Sequence, residues 1–100
     1  MPGDAMMLEK TIEKLVGDYA KVKGWLSYKW VSPGHIGVPD RIFVSPVGKV
    51  VFVEFKRLGK PPTQMQAREH ARMRQQGCSV HVIDSVDLGK AMIDACADSL

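Results

Sequence analysis

Apolar positions along the chain change their period several times, and each change marks an element. Residues 7–22, MLEKTIEKLVGDYAKV, place Leu8, Ile12, Leu15, Val16 and Tyr19 at helical spacing, a core-facing stripe that Gly24 stops. Residues 25–31, WLSYKWV, are aromatic and β-prone and predict a strand. The Gly- and Pro-rich SPGHIGVP predicts a loop. DRIFVS and KVVFVEF, separated by PVG, predict a β-hairpin. After the loop RLGKPP, residues 63–76 (TQMQAREHARMRQQ) predict a helix ended by Gly77, with Thr63 and Gln66 spaced as a capping box. SVHVIDS predicts a short strand, and VDLGKAMIDACADSL a terminal helix interrupted by Gly89.

The predicted order is α-β-β-β-α-β-α. Hairpin links make the first three strands an antiparallel meander. The helix between the third and fourth strands is long enough for a crossover, so those two run parallel. The expected class is α/β, a mixed sheet flanked by helices. No linker, repeat or low-complexity segment divides the chain, so residues 1–100 are expected to form a single domain, with a core over about 8–85 and a C-terminal helix over 86–98.

Composition changes this picture little. At 45% hydrophobic and 25% charged, the chain reads as a globular protein. No apolar run suits a membrane helix, and MPGDAMMLEK has no secretory pattern, so the cytoplasm is the expected location. The formal charge of +3 favours an anionic partner only mildly, but Lys49, Lys56, Arg57, Lys60, Arg68, Arg72 and Arg74 crowd the middle of the chain. Cys78 and Cys96 lack metal-type spacing and are expected as buried thiols. His35, His70 and His81 are scattered and suggest no His-based metal site.

The hairpin carries the candidate chemistry. If its turn centres on Val47, residues whose numbers sum to 94 face each other, and Asp40 lies opposite Glu54. Alternation then puts Asp40, Glu54 and Lys56 on one face and Phe43, Val51, Val53 and Phe55 on the other. A slip of one residue would undo this arrangement. Opposed carboxylates repel, and a divalent cation such as Mg²⁺ cancels the repulsion while keeping room for water and a phosphate. Lys56 is then placed to hold a water or neutralise a phosphate, the parts that phosphodiester hydrolysis requires. An ordinary ion pair between Lys56 and one carboxylate accounts for the same short motif without any catalysis.

GVPDRIFV, VVFVEFK, the basic loop and TQMQAREHARMRQQGCSVHVIDS together resemble the virus-type replication-repair nuclease domain, VRR-NUC, of the PD-(D/E)xK nuclease superfamily. The resemblance runs from about Leu8 to Ser85. It implies a restriction-endonuclease-like core and an endonuclease dependent on Mg²⁺, with Mn²⁺ as a substitute. Asp40, Glu54 and the Phe55 carbonyl would bind the metal, and Lys56 would position or activate water. A first-helix glutamate, Glu9 or alternatively Glu13, would complete the site, with Glu9 preferred for its distance from Gly24 and Trp25. Gln66 matches a family glutamine near the site, although it is also explained as half of a capping box.

Around these residues, Lys60, His35 and Arg57 are candidate DNA contacts. Arg41 alternates away from the carboxylate face. Trp25, Tyr28 and Trp30 read as core aromatics before base-stacking ones. Standalone members of the family resemble Holliday junction resolvases, which implies a phage or bacterial type, a homodimer and branched DNA as partner, with a role in DNA repair and no membrane or organic cofactor. The rival expectations are a nuclease acting on flaps, nicked or linear duplex DNA, and a non-catalytic DNA-binding module. The apolar residues on both hairpin faces, with only three helices to cover them, point independently to a dimer.

Overall fold

The computed structural model describes residues 7–98, so part of the amino-terminal stretch read for a secretory pattern lies outside the described residues. In chain order the elements are α1 (Glu9–Val22), β1 (Leu26–Lys29), β2 (Arg41–Val44), β3 (Val50–Phe55), α2 (Gln64–Gln75), β4 (Val80–Ile83) and α3 (Val86–Cys96). They form a four-stranded sheet in the spatial order β1-β2-β3-β4. The first three strands are antiparallel neighbours, and β4 runs parallel to β3 after the α2 crossover.

The expected α-β-β-β-α-β-α order and mixed sheet are those observed. The first strand is shorter than expected. Trp25 belongs to the core before β1, and Trp30 follows it, half-buried against Phe52 with ring centroids 5.4 Å apart.

The hairpin register pairs Arg41 with Val53, Ile42 with Phe52, Phe43 with Val51 and Val44 with Val50. The turn is therefore centred where the sequence places it. Ser45 fixes it: its N–H donates to the Lys49 carbonyl at 2.8 Å, and its Oγ accepts from the Lys49 N–H at 3.0 Å. Gly48, at φ +90°, adopts the left-handed conformation this closure needs.

One sheet face carries the core. Phe43, Val51, Val53 and Phe55 are fully buried against Ile12, Val16 and Ala20 of α1 and Met92 and Ile93 of α3. The three α1 residues recur every four positions, which keeps them on one seam. Gly89 does not interrupt α3, contrary to the sequence expectation. It lies inside the helix where α1 and α3 meet, and a Cβ there would come within 2.3 Å of a Val16 methyl. Close packing, not helix breaking, accounts for it.

Gly17 differs. It sits mid-helix in α1, and a Cβ there would touch nothing within 4 Å, so its helix cost of about 0.5–1 kcal/mol relative to alanine has no packing return.

The opposite sheet face is only partly covered. α2 packs against β4 and the carboxyl end of β3, burying His70 and Met73. Leu26, Tyr28 and Val50, on the same face towards β1, are 55%, 53% and 43% exposed. Cys78 and Cys96 form no disulfide, and both are half-buried where buried thiols were expected, because each lies at the margin of its packed element.

Candidate nuclease site

Three backbone features bring the charged residues together. First, the hairpin register continues one step beyond β2, so Asp40 reaches the level of Glu54. The Trp30 N–H donates to the Asp40 carbonyl at 2.9 Å, which extends the sheet past the last paired residues. Asp40 Oδ2 accepts the Phe55 N–H at 2.9 Å. A strand residue points its N–H and C=O to the same side, so the Phe55 carbonyl also faces the gap where β2 has ended.

Second, the glycine loop is held against α2. Gly37 has φ +96°, and a Cβ there would lie 2.8 Å from the Met65 carbonyl oxygen. Only glycine allows this approach, and the loop then leads through buried Pro39 into Asp40.

Third, α2 turns one face to Glu54. Gln66 and His70, four residues apart, both reach it. Gln66 Nε2 donates to Glu54 Oε2 at 3.1 Å, and Lys56 Nζ lies 3.7 Å from the same oxygen. His70 Nε2 is 3.9 Å from Glu54 Oε1. Gln66 makes the contacts of a cap and a contact to Glu54 at once. Its Oε1 accepts the Thr63 N–H at 2.9 Å, its own N–H donates to Thr63 Oγ1 at 3.2 Å, and its Nε2 is left for Glu54. One amide caps the helix and holds the carboxylate.

The electrostatics follow from burial. Glu54 is 2% exposed and Lys56 6%. Burial, then the charge of Asp40, push the Glu54 carboxyl up to about 8, with Lys56 opposing and Glu9 adding a smaller upward push. Burial, helped by Arg74 and Lys56, holds His70 below its ordinary value, so its ring is neutral at pH 7. Glu54 Oε1 and His70 Nε2 are buried and have no hydrogen-bond partner among the described residues.

This donor set fits a hard divalent cation. Asp40 keeps one oxygen beyond its bond to Phe55, Glu54 keeps Oε1, and a carbonyl faces the same gap. No cluster of three or more His, Cys, Asp or Glu suited to a metal occurs among the described residues. A site of two carboxylates completed by water and phosphate suits Mg²⁺ rather than a soft metal.

The first helix separates its two glutamates. Glu13 Oε2 accepts from Arg41 Nε at 2.6 Å, which fixes Arg41 on the α1 side of the sheet, away from Asp40. Glu9, one turn earlier, is the one whose charge reaches Glu54. His35 does not stand open in its loop: its Nε2 meets Glu69 Oε1 at 2.8 Å and ties the loop to α2, and this bond draws the Glu69 carboxyl below its ordinary range. Arg57 and Lys60 are exposed in the β3–α2 loop, which a Gly59 N–H bond to Asp84 Oδ2 at 3.0 Å fastens to the end of β4. Tyr28 is exposed, unlike the core aromatic it was expected to be, because its sheet face lacks a covering helix at β1.

Sequence reasoning missed His70, whose available signal was its place four residues after Gln66 and three before Met73, on one helix face.

No protein-family profile matches the chain. It is 48% identical over 88 residues to the "Putative nuclease p44" of Acyrthosiphon pisum secondary endosymbiont phage 1, covering 87% of this chain and 94% of that protein. A solved structure described as a VRR_NUC domain superposes with a TM-score of 0.80 at 31% identity, covering 86% of this chain and 94% of the other. The fold, the opposed acidic pair with its lysine, and both likenesses agree: the chain belongs to the VRR-NUC family of nucleases.

Proposed function

We propose that the chain is a Mg²⁺-dependent endonuclease that hydrolyses phosphodiesters in four-way or otherwise branched DNA and acts as a homodimer. The observation that carries the catalytic part is the Glu54 carboxylate. It is buried, opposed by Asp40, fixed from one side by Gln66 and Lys56, and left with an unpartnered oxygen. A purely structural ion pair gains nothing from a second carboxylate that raises its proton affinity.

In this reading Asp40, Glu54 and the Phe55 carbonyl would hold the cation, with Glu9 as a further carboxylate. The cation supplies Lewis acidity at a phosphoryl oxygen and a more acidic water. The chain's own groups do the rest. Gln66 keeps Glu54 Oε2 pointing towards Lys56. The Lys56 ammonium, buried beside it, donates to the attacking water or to the phosphate and offsets charge that develops there. Water oxygen bonds to phosphorus, the P–O bond to the leaving strand breaks, and the proton from water ends on the leaving oxygen or in solvent.

Lys60 and Arg57, exposed on the neighbouring loop, suit phosphate contacts. The preference for branched DNA and the dimer come from the family resemblance. The exposed Leu26, Tyr28 and Val50 add support for the dimer as an apolar face for a second copy. Such a dimer places two sites about a two-fold axis, which suits a substrate that is itself nearly two-fold symmetric. No described helix is long and apolar enough to cross a membrane.

The test is a panel of four-way, flap, nicked and linear DNA incubated with purified protein in Mg²⁺, Mn²⁺ or EDTA. Faster cleavage of the four-way junction, abolished by EDTA, is expected. Equal cleavage of linear duplex refutes the branched preference, and cleavage in EDTA refutes the metal requirement.

A further inference from the structure

A groove of about 630 Å³ lies between α1 and β1, on the side of the molecule away from α2. One wall is a stripe of α1 with Lys10, Lys14, Gly17 and Lys21, and the other is β1 with Ser27 and Lys29. We propose that this groove is a phosphate-backbone track, which holds the DNA strand that leads away from the cleavage site. The proposal rests on the nuclease reading above and adds where the flanking DNA lies.

Charge is the first observation. Lys10, Lys14, Lys21, Lys29 and Arg41 line the groove against only Glu13 and Asp18. Both carboxylates are committed, Glu13 to Arg41 at 2.6 Å and Asp18 to Lys14 at 2.9 Å. Among the described residues, Lys10, Lys21 and Lys29 have no ion-pair partner. Three uncompensated positive charges in one groove equal the formal net charge of the whole chain.

Strand polarity is the second. β1 turns Ser27 and Lys29 towards α1, on the face they share with Phe43 and Arg41, while the apolar Leu26 and Tyr28 point to the other side. A strand packed under a helix puts its apolar residues on the helix side. β1 does the reverse, so above a floor of Trp25 and Phe43 the β1 wall of the groove presents Ser27 and Lys29. β1 is also an edge strand, and its outer N–H groups are available to oxygen acceptors.

Gly17 is the third. It lines the groove from within α1, a Cβ there would meet only open space, and helix stability alone disfavours it. Close approach of a ligand backbone explains a glycine at this point.

The position fixes the direction. Lys10 follows Glu9, and Arg41 follows Asp40, so the groove ends at the same edge of the fold as the carboxylates, on the opposite sheet face, and a strand leaving the site would pass round that edge to enter it. From Lys10 to Lys21 the helix rises about 16 Å, the axial length of about five nucleotides of one B-form strand. A second copy of the chain is the poorer occupant, because a two-fold contact would set the lysine stripe against itself.

The experiment measures binding of a fluorescent four-way junction by anisotropy in EDTA, across a range of salt. It compares the parent, a triple Lys10→Ala, Lys21→Ala, Lys29→Ala variant, and Gly17→Leu, which fills the groove without changing charge. Melting temperature and solution mass are recorded for each. The triple variant should bind more weakly, with its log K against log salt slope smaller by about two to three. Its junction cleavage in Mg²⁺ should fall through KM at nearly unchanged kcat. Gly17→Leu should lose at least about tenfold in affinity while melting no lower than the parent. Parent-like affinity and slope in both variants overturn the groove. A drop in solution mass to that of a monomer in Gly17→Leu overturns it too, by making the groove a contact between copies. A parent that cleaves no DNA refutes the nuclease reading itself, an outcome read separately from the binding slopes.

Discussion

Gln66 Nε2 donates to Glu54 Oε2 at 3.1 Å, and this one bond couples the amino-terminal cap of α2 to the acidic pair of the hairpin. The helix start and the orientation of the candidate metal ligand depend on the same side chain, whose carbonyl end caps while its amide end holds the carboxylate.

The two roles can be separated. Gln66→Glu keeps an acceptor for the Thr63 N–H but replaces the donor to Glu54 with a like charge. It should leave the cap intact and reduce Mn²⁺ affinity and cleavage by about 10- to 100-fold. Thr63→Ala should lower unfolding free energy by about 1 kcal/mol with cleavage by the folded protein retained. Denaturant unfolding, Mn²⁺ titration calorimetry and a cleavage assay on both variants check this. Parent-like Mn²⁺ binding by Gln66→Glu would show that the amide is only a cap.

The raised Glu54 carboxyl gives a pH dependence with a definite sign. Its ordinary value is 4.5 and its folded value about 8, so between these the folded state holds a proton that the unfolded state releases. Stability from this group is full below 4.5 and is lost as pH rises towards 8. His70 and His81, held below their ordinary 6.5 by burial, act in the opposite sense below that value. The clean window is therefore about pH 6.5 to 8, where the melting temperature of metal-free protein should fall as pH rises. In Glu54→Gln the fall should disappear. A parent and variant with the same slope across this window would place the carboxyl proton elsewhere.

Gly89 and Val16 should be energetically coupled. Gly89→Ala forces a Cβ to within 2.3 Å of a Val16 methyl and should cost about 1–3 kcal/mol by overpacking. Adding Val16→Ala should make the double variant more stable than the two single losses predict, a coupling readable in a double-mutant cycle. Simple additivity would mean that the helices move apart at no cost.

Gly37→Ala tests the loop that delivers Asp40. The left-handed backbone disfavours alanine by about 1–2 kcal/mol, and the Cβ would press on the Met65 carbonyl. The strain is three residues from Asp40, so cleavage should fall by more than the loss of folded protein explains. Comparing kcat at full folding with the unfolding free energy decides it.

Much of this site was legible because it lies within one hairpin. Side-chain alternation and a turn centred on Val47 suffice to oppose Asp40 and Glu54, and the observed pairs Ile42–Phe52 and Val44–Val50 follow that arithmetic. The placement of Arg41 away from the carboxylates was legible by the same alternation, but not its partner Glu13, which depends on how α1 crosses the sheet. His70 was not legible for a similar reason. It meets Glu54 through the angle at which α2 returns over β3, and local periodicity carries no information about that angle. Gly89 misled because glycine mid-helix reads locally as a break, while its cause is a tertiary contact with Val16. The dual role of Gln66 was visible only as two competing explanations. An amide has two ends, and the fold uses both.

The central claim is that Glu54, opposed to Asp40 and flanked by Lys56, is the catalytic centre of a metal-dependent nuclease. Its most direct test is the rate at which purified Glu54→Ala cleaves a synthetic four-way junction in Mg²⁺, beside the parent, with junction binding measured on the same samples. The account predicts at least about a 100-fold loss of cleavage with binding retained. Cleavage by Glu54→Ala at the parent's rate would contradict it.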